Sequence, residues 1–332
     1  MRTEIELSAE IERWPLRRAF KITGYAFTES EVLVVELRDG ELRGRGECAG
    51  VYYNDDTPER ARAQVLAAAG AIRAGITREE LLGVLPPGGA RNAVDCALWD
   101  LEAKQQRRPA WQIAGLQPPR PVMTTMTIGA DEPATMAEHA REYARARAIK
   151  LKLTGDELDA ERVRAVRTAR PDVWLGVDAN QGFTRESLSA LLPALVEARV
   201  ELVEQPFPRD RDELMDGLRS PIPVAADESA QDIGDLDRLA GRFDVINIKL
   251  DKCGGLTRGL AMAAAARERG MRVMVGCMNG TSLAMAPGTL LGQLCDVVDL
   301  DGPLILSSDR EPPVSYDDGY VSAPEALWGG AA

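Results

Sequence analysis

From residue 119 onward one unit recurs: a short apolar run, a polar residue that closes it, and an amphipathic stretch of helical period. The runs are VMTTMTI, AIKLKL, VWLGVD, VELVEQ, IPVAAD, DVINIKL, RVMVGC and DVVDLD. Lys152, Asp178, Glu204, Asp227 and Lys249 stand at the ends of five successive runs, at separations of 26, 26, 23 and 22 residues. Neighbouring parallel strands need a crossover of roughly a dozen residues or more, usually a helix, and this spacing leaves room for one each time. Eight such units predict a (β/α) barrel rather than an open sheet. The C-terminal strand ends, and with them these charges, then form the active-site mouth.

Residues 1–118 have a different texture. ESEVLVVELRDGELRGRGE holds a DG turn between strand-like runs, while TPERARAQVLAAAGAIRAG and ARNAVDCALWDLEAKQQ read as helices. This half is expected to be an α+β domain. LQPPRP at 116–121 is a proline-rich joint. The expected division is therefore 1–118, a barrel over 119–305, and a C-terminal segment 306–332 that packs back on the first domain. The alanine-rich stretches LAMAAAARERG and ARARA are assigned to the barrel's outer helices.

Composition narrows the chemistry. At 332 residues, 45% hydrophobic and 28% charged, the chain has ordinary globular usage. A net charge of −12, with no basic cluster interleaved with aromatics, argues against a nucleic-acid partner. No apolar run approaches the roughly 20 residues of a membrane span, and MRTEIELSAEIERW is too acidic for a secretory signal. Cys48, Cys96, Cys253, Cys277 and Cys295 lack CxxC spacing, which predicts free thiols and a cytoplasmic protein. The single histidine, His139 in MAEHARE, excludes histidine triads and His-rich metal sites. Acids, bases and ligands must come from Asp, Glu, Lys, Tyr or Cys. Cys253 and Cys277 have no histidine to activate them and are read as packing residues.

Asp178 in VDANQG, Glu204 in VEQPF and Asp227 in AADES lie on neighbouring strands and can converge. Singly, each reads as well as a helix cap or a surface ion pair. Three in succession, with oxygen ligands only, point to a hard cation: Mg²⁺, with Mn²⁺ as its substitute, over Zn²⁺. Asn180 and Gln181 after the first ligand, and Glu228 and Ser229 after the third, stand where ligand-orienting groups or simple turns occur. Lys150 and Lys152, two apart on one strand, share a face. As a like charge, Lys150 is expected to lower the pKa of Lys152 and to reach the substrate carboxylate; the plainer alternative is a snorkelling rim lysine.

The ordered set KLK, VDAN, VEQP, ADES, NIKLDKCGG and DLDGP resembles the enolase superfamily, muconate-lactonizing subgroup, and within it the dipeptide epimerases. The resemblance runs from RWPLRRAFKI through RGRGEC and NAVDCALWDLEAKQ to DLDGPLIL. It implies an α/β fold, a modified (β/α)7β TIM-type barrel under an N-terminal α+β capping domain. It also implies Mg²⁺ on Asp178, Glu204 and Asp227, acid/base roles for Lys152 and Lys249, and a substrate α-ammonium held by Asp299 and Asp301. The implied reaction is epimerisation of a dipeptide, L-Ala-D/L-Glu or another L-Ala-D/L-Xaa type, at the α-carbon of its C-terminal residue. Physical chemistry agrees. The α-proton of a carboxylate is weakly acidic, so the enediolate formed on its loss needs a divalent cation and nearby positive charge. A base on each face lets a proton leave one side and arrive on the other. The two carboxylates of DLDGP, at i and i+2, suit an amine; the structural alternative pairs them with Arg17 or Arg18.

In such enzymes that act on glutamate, a basic residue in the first capping loop is expected to grip the side-chain carboxylate. Here KITGYAFTES puts Phe27 near that position, with Tyr25 close by. The second loop, AGVYYNDDTPE, offers Tyr52, Tyr53, Asp55 and Asp56. An apolar, aromatic or cationic substrate residue is therefore expected, with Arg17, Arg18 and Lys21 keeping glutamate open. Phe27, Tyr53, Met278 in GCMNGTS, and Thr125 are assigned to the substrate pocket. Other activities on the same fold are those of N-acylamino acid racemase, o-succinylbenzoate synthase or a cycloisomerase, whose substrates lack the free amine that Asp299 and Asp301 suit. A silent barrel that binds metal and a zwitterion is a further alternative. Exposed barrel helices offer surfaces for a homo-oligomer.

Overall fold

The computed structural model describes residues 4–22 and 25–331, with side chains for all of these except 20–22 and 25. Tyr25 and Lys21, named above for the first loop, therefore have side chains outside the described residues.

β1 (Glu6–Ile22), β2 (Tyr25–Asp39) and β3 (Leu42–Cys48) form an antiparallel sheet, and Gly40, at φ 58°, makes the DG turn between the last two. Helix α1 (Pro58–Ala67) stops one residue before the short helix Ala69–Arg73, so TPERARAQVLAAAGAIRAG is two helices and not the single one expected. Ala68 leaves helical geometry at ψ 0°, and Gly70 follows it, a residue that stabilises helices poorly. Helix α2 (Gly89–Gln106) lies directly on β3. A Cβ on Gly44 would sit 2.2 Å from the Ala97 carbonyl oxygen, and one on Gly46 would sit 2.1 Å from that of Ala93. The RGRG run thus lets helix backbone rest on strand backbone, and Leu33, Val35, Leu37, Val94 and Leu101 share the core of this domain.

The second sheet has eight parallel strands: β5 (Thr125–Ile128), β6 (Ala148–Lys152), β7 (Trp174–Asp178), β8 (Leu202–Glu204), β9 (Val224–Ala226), β10 (Val245–Lys249), β11 (Arg272–Gly276) and β12 (Val297–Val298), paired in sequence order. VMTTMTI, expected as one strand, divides. Its first part, β4 (Val122–Met123), pairs instead with the terminal hairpin β13 (Ser315–Asp317) and β14 (Tyr320–Ser322). Among the described residues no ladder joins β5 to β12. Side chains close that seam: Leu300 N donates to Thr124 Oγ1 at 3.0 Å, and Thr127 N to Asp301 Oδ2 at 2.6 Å.

Helices α3 (Pro133–Glu142), α4 (Asp159–Ala169), α5 (Arg185–Glu197), α6 (Leu236–Leu239), α7 (Leu256–Glu268) and α8 (Ser282–Gly292) follow barrel strands. LAMAAAARERG falls in α7, but ARARA is not helical. It forms a turn that runs into β6, because the Arg147 carbonyl is taken by Trp174 N at 2.9 Å; tertiary pairing overrides alanine's helical preference.

The capping domain is tied to the loops at the C-terminal strand ends. Thr281 N donates to Glu47 Oε1 at 2.7 Å, Thr257 N to Asp95 Oδ2 at 3.0 Å, and Arg91 to the Cys253 carbonyl at 2.8 Å. The last residues touch it as well: Ser307 N reaches the Pro15 carbonyl, Arg310 pairs with Glu12 and Glu47, and Trp328 Nε1 donates to the Cys96 carbonyl. The five cysteines are free, and among the described residues no helix is long and apolar enough to cross a membrane.

Candidate active site

Parallel register sets the site. Lys152 pairs with Asp178 and Asp178 with Glu204 at the ends of β6, β7 and β8, so three charged side chains stand in a row. Asp227 follows β9 directly, and Lys249 ends β10 opposite Gly276. A Cβ at Gly276 would lie 3.1 Å from Lys249 Cε and 2.7 Å from Asn247 Oδ1, so glycine makes room for both. Asp178, Glu204 and Asp227 each offer an oxygen, all within 4.8 Å of one another, and all three are buried.

Lysines surround this cluster. Lys152 Nζ is 2.5 Å from Asp178 Oδ2, Lys249 Nζ is 2.7 Å from Asp227 Oδ2, and Lys150 Nζ is 3.2 Å from Glu204 Oε2 and also bonds Asp299. Burial and the adjacent Asp178 charge push the Glu204 carboxyl up to about 7. Burial works against the Asp227 carboxylate, but Lys249 and Lys252 hold it far below the usual range. Burial and Asp227 push Glu228 up to about 8. The buried Oδ1 atoms of Asn180 and Asn247 and Oε2 of Glu228 have no hydrogen-bond partner. Oxygen-only donors and spare buried oxygens fit a hard divalent cation.

Lys150 and Lys152 do share the inward face. Lys150 itself contacts carboxylates. Burial works against its charge, yet Asp299, Glu204 and Asp178 raise its pKa well above that of a free lysine, so its charge is already matched by carboxylates. Asp299 also accepts from Thr125 Oγ1, which makes Thr125 a buried support of Asp299. Burial and the Asp299 charge push Asp301 up to about 6. Neither carboxylate bonds Arg17 or Arg18: Arg17 donates to the Leu306 carbonyl, and Arg18 to His139 and Glu142.

A cavity of about 310 Å³ opens over these groups, lined by Lys152, Lys249, Asn180, Phe27, Tyr52 and Met278, with Glu29 and Glu31 also on its wall. Phe27 meets Tyr52 edge to face at 5.5 Å. Of the two loop tyrosines Tyr52 lines the cavity. The Tyr53 hydroxyl accepts from Gln231, and its ring lies under Arg209. A larger hollow of about 600 Å³ is lined by capping-domain residues alone, among them Ile5, Arg78 and Glu102. Asn180 Nδ2 bridges Asp178 and Glu228 at 3.3 Å each, and its backbone N–H donates to Asp178 Oδ1.

Sequence reasoning missed three polar residues around the cluster. Gln205 Oε1 accepts from the backbone of Asp227 and Ser229, locking VEQP to ADES. Asn247 Nδ2 donates to Glu204 Oε1 at 2.6 Å; its position two before Lys249 on one strand was an available signal. Lys252 Nζ donates to Asp227 Oδ1 at 2.6 Å and to the Asn247 carbonyl at 3.0 Å. It lies beyond the strand end, where strand periodicity says nothing.

Residues 4–115 match the mandelate racemase / muconate lactonizing enzyme N-terminal domain, and residues 135–328 match the enolase C-terminal domain-like family. The L-Ala-D/L-Glu epimerase of Escherichia coli K12 is 39% identical over 93% of this chain and 97% of its own. An N-acetyl-D-glutamate racemase of Pseudoalteromonas is 39% identical over 90% and 96%. An Agrobacterium tumefaciens structure with homology to dipeptide epimerases, holding sodium and L-Ala-L-Glu, superposes with a TM-score of 0.95 at 41% identity, covering 98% of this chain and all of the other. The dipeptide epimerase of Methylococcus capsulatus with Mg and L-Arg-D-Lys gives 0.90 at 30% identity, covering 97% of each. With both domain models matched and the barrel mouth arranged as described, the chain belongs to the mandelate racemase / muconate lactonizing enzyme family of the enolase superfamily, among the relatives of its dipeptide epimerases.

Proposed function

We propose that the protein is a Mg²⁺-dependent dipeptide epimerase that inverts the α-carbon of the C-terminal residue of an L-Ala-D/L-Xaa dipeptide. The observation that carries this reading is the placement of Lys152 on β6 and Lys249 on β10, flanking ligand strands β7 to β9, with both lysines lining one cavity. Asp178, Glu204 and Asp227 would hold the cation, which when bound would supply positive charge to offset that developing on the substrate carboxylate. One lysine, neutral at that moment, takes the proton from its face of the α-carbon. The other, protonated, returns one to the opposite face, and the configuration inverts. Asp301, beside Asp299 at the barrel seam, holds the free amine of the substrate. Phe27, Tyr52 and Met278 exclude water around the reacting carbon.

Glutamate is the first C-terminal residue to test, because relatives at 39% and 41% identity are named for glutamate compounds or hold one. The aromatic wall of Phe27 and Tyr52 makes L-Ala-L-Leu the second. A specific observation favours another reading, racemisation of an N-acylated amino acid: a relative bears that activity, and Asp299 is already matched by Lys150. The free thiols support a cytoplasmic site of action. The test is proton NMR in D₂O with both epimers of Ala-Glu, Ala-Leu and N-acetylglutamate. Exchange at the C-terminal α-carbon of the dipeptides is expected. Lys152→Ala and Lys249→Ala should each abolish epimerisation while retaining solvent exchange for one epimer, opposite in the two variants. Near wild-type interconversion by Lys249→Ala would refute the two-base assignment.

A further inference from the structure

In each of the three clustered carboxylates, one oxygen is fixed by a donor belonging to the fold and the other meets a lysine, although Asp178 Oδ2 also accepts from Asn180 Nδ2 at 3.3 Å. Asp178 Oδ1 accepts from Asn180 N at 2.9 Å, Glu204 Oε1 from Asn247 Nδ2 at 2.6 Å, and Asp227 Oδ1 from Lys252 Nζ at 2.6 Å. The opposite oxygens, Asp178 Oδ2, Glu204 Oε2 and Asp227 Oδ2, meet Lys152, Lys150 and Lys249. The outer donors are themselves immobilised. Lys252 is buried and also donates to the Asp227 and Asn247 carbonyls, so its ammonium has three acceptors and little freedom. Asn247 sits in β10, paired to Met274 of β11 and confined by the close approach of Gly276.

We infer that Asn247 and Lys252 are positioning residues that make Glu204 and Asp227 one-oxygen ligands, and thereby set which cation the site prefers. This rests on the reading of the cluster as a divalent-cation site. A carboxylate whose second oxygen is committed to a fixed donor offers a cation a single oxygen. Three such ligands would supply three of the six oxygens that octahedral Mg²⁺ takes. Ca²⁺ takes about six to eight oxygens and readily accepts bidentate carboxylates. Holding Glu204 Oε1 and Asp227 Oδ1 away denies it those extra oxygens. The positive charge of Lys252 serves the same end from outside, since it attracts Asp227 Oδ1 away from the cluster.

The experiment is calorimetric titration of Mg²⁺ and of Ca²⁺ into the metal-free full-length protein, wild type against Asn247→Leu and Lys252→Met, with folding checked by circular dichroism. The readout is the ratio of the two affinities, which a general loss of stability or a simple change in site charge does not shift. Both variants should lower the preference for Mg²⁺ over Ca²⁺ by about tenfold or more, the scale on which ligand-supporting groups act. If Lys252→Met does not fold, Asn247→Leu alone decides. Wild-type binding with an unchanged preference in the folded variants would overturn the inference. Failure of the wild-type protein to bind either ion would instead remove the cation-site reading, and the inference with it.

Discussion

Lys150 stands between Glu204 and Asp299, two buried carboxylates, so its removal strands both. Breaking a buried ion pair from one side costs about 3–5 kcal/mol, because the partner keeps its charge without compensation. Lys150→Met should therefore lower the unfolding free energy of the metal-free protein by that order in urea titration; a loss under about 1 kcal/mol would show that the lysine is not what offsets the two acids. Asp301→Asn removes a charge while keeping the shape. For a free-amine dipeptide the cost in kcat/KM should be roughly 1.5–3 kcal/mol, that of a hydrogen bond to a charged group. An N-acetylated substrate should lose far less. Equal losses for both would mean that Asp301 does not read the amine.

Among the elements, the loop at 49–56 depends on the turn after β10. Asp251 Oδ1 accepts from Ala49 N and Gly50 N, both at 2.9 Å, and both residues line the cavity over Lys152 and Lys249. One residue, Leu250, separates Asp251 from Lys249, so one short turn carries a proposed catalytic lysine and the anchor of the loop that bears Tyr52. Asp251→Ala should speed hydrogen exchange at the amides of Ala49 and Gly50 and raise KM more than it lowers kcat, since the loop shapes the cavity while Lys249 stays on its strand. Unchanged exchange there would rule out the anchor. The contact of α2 with β3 offers a second measurement. Gly46→Ala puts a methyl group 2.1 Å from the Ala93 carbonyl oxygen, and neither backbone can swing aside. Its cost should be at least the roughly 1–3 kcal/mol of an overpacked core, read from urea denaturation.

The whole molecule is a capping domain held on a barrel by buried carboxylates, and that makes its stability depend on pH. Burial pushes Asp95 up to about 6 and Asp251 up to about 7, with Asp56 adding to the second. Because both folded-state values lie above those of the unfolded chain, their contribution is full below about pH 4 and is lost as pH rises through 6 and then 7. The metal-free wild-type protein should lose stability between about pH 4 and 7, by on the order of 3–4 kcal/mol per group. An Asp95→Asn, Asp251→Asn double variant should show a shallower slope over that window in denaturant titrations. An identical slope would place the pH dependence elsewhere.

What the sequence alone determined is whatever depends on period and spacing. Eight recurring units specify a barrel, and a residue at a strand's C-terminal end must lie at the mouth, so Lys152, Asp178, Glu204, Asp227 and Lys249 could be placed there by counting. What only the tertiary structure decided concerns contacts between segments distant in sequence. ARARA has a helix former's composition but pairs with Trp174 as a turn into β6. Tyr52 and Tyr53 are adjacent in sequence, and only the packed loop determines which one lines the cavity. Lys150 obeys the strand period, yet its role follows from Asp299, which lies 149 residues away and across the barrel seam. Lys252 is in the same position, since no local pattern marks a lysine beyond a strand end as the partner of a carboxylate 25 residues earlier. Periodicity fixes the direction of a side chain from its own backbone, but which charge it meets is set by how eight strands close on one another.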